Sequence, residues 1–192
     1  PSIFDYLKEK KCIVLNIRMS AGKTEQNISF LNQVSNFLWI TPNAALSNNS
    51  NTRINEQCVM HRVPGCKHYR VYYAGKKNNK MSGADKLIVC MNSFHYLAGR
   101  TYDYTIIDES ETCMKNWINN STFNNNKVAS KVDCWEAFIS LMRRSKNIIC
   151  IDAFTSNITL DILNGITGSI DNTIVFERQQ ETSDRTFIEK EK

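Results

Sequence analysis

The stretch Cys12-Ile13-Val14-Leu15-Asn16-Ile17-Arg18-Met19-Ser20-Ala21-Gly22-Lys23-Thr24 decides how the rest of the chain is read. Its first half is a run of apolar residues without polar alternation, the pattern of a strand buried on both faces of a parallel sheet. Its second half ends in Gly22, Lys23 and Thr24, just before a helix-like segment. A tight loop in that place turns main-chain N–H groups and a helix N-terminus towards phosphate oxygens. The lysine neutralises the β and γ oxygens, and the hydroxyl can ligate Mg²⁺. Arg18, Met19, Ser20 and Ala21 complete this candidate ATP-binding loop. Ile17 stands where the signature usually opens with glycine.

Working outward, similar apolar runs recur at 37–41, 69–73, 87–91, 104–107 and 148–151. Segments able to form crossover helices lie between several of them. One spans 25–36; another spans 132–144 and gathers Trp135, Phe138, Ile139, Leu141 and Met142 roughly on one face. Alternating strand and helix predicts an α/β fold, a mostly parallel sheet with helices on both faces. The 192 residues suit one domain, expected over 1–180, with 181–192 as a charged tail or linker. The Asn-rich segment 116–127 and the basic segment 76–83 read as loops.

The run at 104–107 continues into Asp108-Glu109-Ser110-Glu111. A carboxylate at the end of a parallel strand, facing the phosphate loop, can hold Mg²⁺ through water, and the next can polarise the attacking water. Lys23, Asp108 and Glu109 are therefore the candidate catalytic set, with Thr24 and Asp108 on the metal. Acids in this place also cap helices; joined to the phosphate loop, they point to an ATPase with ATP and Mg²⁺ as its ligands. The run at 148–151 is followed by Asp152-Ala153-Phe154-Thr155-Ser156, where Thr155 or Ser156 can equally be a helix N-cap.

The formal charge of +5 fits a nucleic-acid partner without demanding one. No apolar stretch approaches the length of a membrane span, and the first residues lack the layout of a signal peptide. The seven cysteines are an odd number, and Cys12, Cys90 and Cys150 lie in apolar runs. These features predict an intracellular, reducing location, no disulfides and no membrane partner. Cys58, His61, Cys66 and His68 are close enough in sequence to raise a zinc site, but Cys-x-His is a tight spacing for a tetrahedral ion. Free thiols with scattered histidines are the alternative.

Several segments together resemble the superfamily 2 DNA helicases, and among them the herpesvirus-type replication origin-binding proteins of large DNA viruses. They are residues 17–24, Trp39-Ile40-Thr41-Pro42-Asn43, Leu87-Ile88-Val89-Cys90-Met91-Asn92-Ser93-Phe94-His95-Tyr96-Leu97, 102–111 and 148–163, in order over about residues 11–165. The resemblance implies a RecA-like P-loop lobe that couples ATP hydrolysis to DNA strand translocation and unwinding in viral genome replication, at the viral replication site of the host cell. By position, Thr41, Pro42, Asn43, Ser93, Phe94 and His95 would contact DNA, either a single strand or a replication origin. Asn43 stands where relatives often carry a basic residue. Core packing is the competing role for Phe94 and Tyr96, and a structural hydrogen bond for His95. Asp152, Ala153 and Thr155 would couple hydrolysis to strand binding. The second RecA-like lobe is absent from this sequence, so the chain is expected to be a fragment whose partners are that lobe and other replication proteins. A non-catalytic docking module and another class of P-loop ATPase are the rival readings. Intact Lys23, Thr24, Asp108 and Glu109 argue against the first, and the elements at 93–97 and 152–155 against the second.

Overall fold

The computed structural model describes residues 3–16, 23–31, 34–60, 70–71, 84–119 and 129–177. Within them, the side chains at 3–4, 23–26, 55–60 and 70–71 lie outside the description. Seven described strands form one sheet: β1 (Cys12–Asn16), β2 (Phe37–Thr41), β3 (Arg70–Val71), β4 (Lys86–Cys90), β5 (Tyr104–Asp108), β6 (Asn147–Asp152) and β7 (Thr173–Glu177). Their order is β3-β4-β2-β5-β6-β1-β7, and every pairing is parallel.

Side chains on successive strand residues point to opposite faces, so each buried run feeds two cores. On one face Val14, Ile40, Val89, Ile107 and Cys150 pack with Phe94, Met114, Phe138 and Leu163. The last three belong to α3 (Ser110–Ile118), α4 (Lys131–Arg144) and α5 (Asn157–Thr167). On the other face Ile13, Leu15, Trp39, Ile106 and Ile149 pack with Ile28 and Leu31 of α1 (Lys23–Leu31) and Ile54 of α2 (Ala44–Met60). The expected architecture, a parallel sheet between two helical layers, is the one observed.

Boundaries follow local chemistry. At the start of α4 the Ser130 hydroxyl accepts from the Asp133 N–H, and the Asp133 carboxylate accepts from the Ser130 N–H; this closes a capping box. Gly168 ends α5 with φ 79°, a left-handed conformation that suits glycine. Three expectations need correcting. Helix α1 ends at Leu31 rather than 36. Residues 116–118, read as loop, finish α3, while 120–128 lie outside the described residues. The strand expected at 69–73 is described only as Arg70–Val71, and the loop at 76–83 lies outside the description.

Cys12, Cys90, Cys113, Cys134 and Cys150 are buried free thiols. No described helix is long and apolar enough to cross a membrane.

Candidate active site

The pairing of β1, β6 and β5 sets the geometry of the carboxyl edge of the sheet. Asn16, the last residue of β1, is in register with Asp152, and Ile151 with Asp108. The end of β1, from which the chain runs towards the expected phosphate loop, and the acids ending β5 and β6 therefore lie side by side. Arg18, Met19, Ser20, Ala21 and Gly22 are outside the described residues; the backbone of Lys23 and Thr24 opens α1. A strand, a short connection and a helix start follow one another as a phosphate loop requires.

Asp108 is half-buried at the end of β5. Glu109 follows with φ 53° and ψ 51° at the N-terminus of α3, left-handed although it is not glycine. Such a backbone costs about 1–2 kcal/mol and tends to persist where surroundings or function demand it. Burial pushes the Cys113 thiol well up, and the negative charges of Asp108, Asp152 and Glu109 add to the effect. The Cys113 sulfur itself lies 3.5 Å from the Asp108 carbonyl oxygen.

Asp152 is turned towards the main chain. One carboxylate oxygen accepts from the N–H groups of Ala153 at 2.7 Å and Phe154 at 3.0 Å, and the other from the Glu111 N–H at 2.8 Å. Glu111 reaches back across the same gap. Its carboxylate accepts from the Ser156 N–H at 2.9 Å, the Ser156 hydroxyl and the Thr159 hydroxyl at 2.7 Å, and it pairs with Lys115 at 3.2 Å. Burial alone would raise its pKa; the hydrogen bonds from Ser156, then Thr159 and Lys115, outweigh burial and hold it at about 2. These two carboxylates cross-link the start of α3 to the β6–α5 turn. Ser156 also caps α5, accepting from the Ile158 N–H at 3.2 Å. That leaves the Thr155 hydroxyl oxygen buried without a partner among the described residues.

At the ends of β2 and β4 the side chains fold inward. The Thr41 hydroxyl donates to the Asn43 carbonyl at 2.9 Å and lies 2.6 Å from the Ser47 hydroxyl, wholly buried. Pro42 is buried, and Asn43 is exposed, accepting from the Leu46 N–H at the start of α2. Ser93 is buried against the Cys90 sulfur at 3.6 Å. Phe94 is fully buried, edge-on to Phe138 with ring centroids 5.3 Å apart. Of the residues expected to contact DNA, Thr41, Pro42, Ser93 and Phe94 have buried side chains that build the core and the loop, Asn43 is exposed, and His95 is half-buried with its Nε2 enclosed. The His95 ring lies tilted at 42° to that of Tyr96, centroids 3.8 Å apart, and has its Nδ1 3.6 Å from the Cys134 sulfur; burial lowers its pKa.

Among the described residues no three His, Cys, Asp or Glu side chains are grouped to hold a metal ion. Cys58 lies in α2, its side chain undescribed, and His61, Cys66 and His68 lie outside the described residues. Glu111 carries no role in the reading of the sequence; apart from Lys115, its partners lie 41 to 48 positions away, a link that spacing does not reveal.

The sequence profile of the origin of replication binding proteins matches residues 4–181 of this chain. No curated protein matches it in sequence. Many solved structures share the fold, among them three helicase-type proteins. The Sulfolobus solfataricus SWI2/SNF2 ATPase core in complex with dsDNA aligns over 88% of this chain and 35% of its own, with TM-score 0.58 and 19% identity. A DEAD box protein from Methanococcus jannaschii aligns over 88% and 46%, with TM-score 0.59 and 16% identity. Dbp5 of S. cerevisiae, bound to RNA and ADP BeF3, aligns over 88% and 42%, with TM-score 0.59 and 13% identity. The chain thus spans between about a third and a half of the proteins it matches. The shared part is a RecA-like lobe.

Proposed function

We propose, on the premise that this chain belongs to the origin of replication binding protein family, that it is the ATP-binding lobe of a superfamily 2 DNA helicase. Residues 1–180 form the lobe and 181–192 lead towards a second one. Together the two lobes use ATP hydrolysis to move along and unwind DNA during viral genome replication, in a reducing intracellular compartment and alongside other replication proteins. The observation that carries this reading is the strand register that sets Asp108 and Asp152, the last residues of β5 and β6, at the carboxyl edge, with Glu109 following, beside the strand that runs into Gly22-Lys23-Thr24.

Hard oxygen donors suit a hard cation. Asp152 is committed to main-chain N–H groups, so Asp108, with the Thr24 hydroxyl, is the residue that would hold Mg²⁺. When bound, the metal neutralises charge on the phosphate oxygens. Lys23 grips the β and γ phosphates, aided by the N–H groups of residues 18–24. Glu109 orients the attacking water and takes its proton. Its left-handed backbone sets the direction of that carboxylate at the head of α3. Asp152, Ala153 and Thr155 sit on the turn that Glu111 ties to the acidic strand end, so a shift at the phosphates is passed to α5 through hydrogen bonds. Of the candidate DNA contacts Thr41, Pro42, Asn43, Ser93, Phe94 and His95, Asn43 is the one whose side chain is exposed.

In the full-length protein, Glu109→Gln should retain ATP and DNA binding while slowing hydrolysis by on the order of 10²–10⁴, the usual cost of losing a general base. Lys23→Ala should remove phosphate binding. The 192-residue chain by itself should show almost no DNA-stimulated hydrolysis, because the arginine that stabilises the transferring phosphoryl group would come from the second lobe. Brisk DNA-stimulated turnover by this chain alone would overturn the assignment.

A further inference from the structure

We propose that Glu177 binds the ribose hydroxyls of the nucleotide, an inference that deepens the ATP-binding reading above and rests on it. Glu177 is the last residue of β7 and is exposed. It stands in register with Asn16, the last residue of β1, and Asn16 stands in register with Asp152. The Asn16 Nδ2 donates to Glu177 Oε1 at 3.0 Å. The second carboxylate oxygen has no partner among the described residues. The strand that leads to the expected phosphate loop thus has an acid on each side, Asp152 of β6 and Glu177 of β7. The two are not equivalent. Asp152 is buried and held by three main-chain N–H groups, whereas Glu177 is anchored at one oxygen and open at the other.

The direction of the nucleotide follows from the metal. Mg²⁺ bridges the β and γ phosphates, and Asp108, its proposed ligand, ends β5, two strands from β1 on the β6 side. The terminal phosphates therefore belong on that side of β1, and the α phosphate and ribose lead away from it, towards β7. Neighbouring strands are about 4.8 Å apart, so Asp108 and Glu177 stand three spacings, roughly 14 Å, from each other. A triphosphate with its ribose can bridge that span; the terminal phosphates alone cannot. Chemistry then selects the group that Glu177 meets. An ionised carboxylate only accepts hydrogen bonds, and its charge repels phosphate oxygens. The ribose diol offers two O–H donors and no charge, and an acid takes the ribose in the same way in dinucleotide-binding sheets. The adenine amino group is the competing donor, a single group where the diol has two. Closing the edge between β1 and β7 would not by itself call for a charge, because an amide at 177 would accept from Asn16 equally well.

The test measures binding of ATP, GTP and 2′,3′-dideoxy-ATP, each with Mg²⁺, to the full-length protein by titration calorimetry. Wild type should bind ATP about tenfold more tightly than the dideoxy analogue, the scale of one hydrogen bond to a charged acceptor. Glu177→Ala should bind ATP as weakly as wild type binds the analogue, and should bind the analogue as wild type does, at an unchanged melting temperature. Glu177→Gln still offers a carbonyl oxygen to Asn16 or to one hydroxyl and should keep part of the preference. Equal weakening for ATP and the analogue, or none for either, would leave Glu177 as a latch between strand ends and overturn the proposal. A lost preference for ATP over GTP with ribose discrimination intact would assign Glu177 to the base and overturn it as well. Lys23→Ala separates this failure from that of the underlying reading. Nucleotide binding insensitive to Lys23→Ala overturns the phosphate-loop assignment, whereas Lys23-dependent binding without ribose discrimination overturns only the role of Glu177.

Discussion

The two halves of the carboxyl edge are built from the same kinds of residue and use them in opposite ways. At the ends of β2 and β4, Thr41 and Ser93 turn their hydroxyls into the protein, and Phe94 follows into the core. At the ends of β5 and β6, Asp152 and Glu111 bind the main chain and brace the turn beside Asp108 and Glu109, which are half-buried, and Phe154, which is exposed. Position at a strand end does not decide whether a side chain meets a ligand. What decides it is whether a donor or acceptor of the protein lies within reach first.

That contrast can be broken experimentally, and the largest effect belongs to the inward half. Phe94→Ala removes a fully buried ring packed against Phe138 and should destabilise the fold by about 3–5 kcal/mol. Denaturant titration would measure this; weakened DNA binding at unchanged stability would instead return Phe94 to the DNA surface.

Next comes the brace. Glu111→Gln places an amide among four donors and should cost about 2–4 kcal/mol, since charged hydrogen bonds are the strong ones. Its pH dependence is a sharper signature. The folded-state pKa of Glu111, about 2, lies below its unfolded value, so its contribution is complete above about pH 4.5 and fades as pH falls towards 2. Thermal melting across that window should show wild type losing its advantage over Glu111→Gln. Parallel curves would mean that the carboxylate is not held as described.

Thr41→Val keeps shape and removes the buried hydroxyl; a loss of about 1–2 kcal/mol with unchanged DNA affinity is expected, because Ser47 still has the Asn43 carbonyl at 3.3 Å. Smallest is Glu109→Gly. Relief of the left-handed backbone should offset much of the entropy that glycine adds to the unfolded chain, so the melting temperature should move little while hydrolysis is lost. A marked drop in melting temperature would show that the Glu109 side chain stabilises the fold.

The strands that carry the site were legible because strands covered on both faces leave unbroken apolar runs; β1, β2, β5 and β6 fall within a residue or so of their expected limits. Helix α2 was not read. Its sequence is rich in Asn and Ser, poor helix formers, and among its described side chains Ile54, Ser47 and Ser50 are the buried ones, so packing overrides propensity. Strand β7 was missed because it is half-covered at the sheet edge, with Val175 37% exposed. The acids Asp108, Glu109 and Asp152 could be picked out by their place after apolar runs. The inward turn of Thr41 and Ser93 could not, since a hydroxyl that binds phosphate and one that binds a neighbouring side chain are the same residue.

The position of β1 between β6 and β7 also has a consequence in time. Cys12 pairs with Ile148 and Thr173, so the strand that leads into Gly22-Lys23-Thr24 is made first but gains its nearer neighbour only 136 residues later. At ordinary rates of synthesis that wait is on the order of ten seconds. Throughout it, Ile13, Val14 and Leu15 have no sheet to enter. The first strand of this sheet to be synthesised is therefore among the last to be locked in, and a nascent chain halted before residue 147 should be held by chaperones and be unable to retain nucleotide.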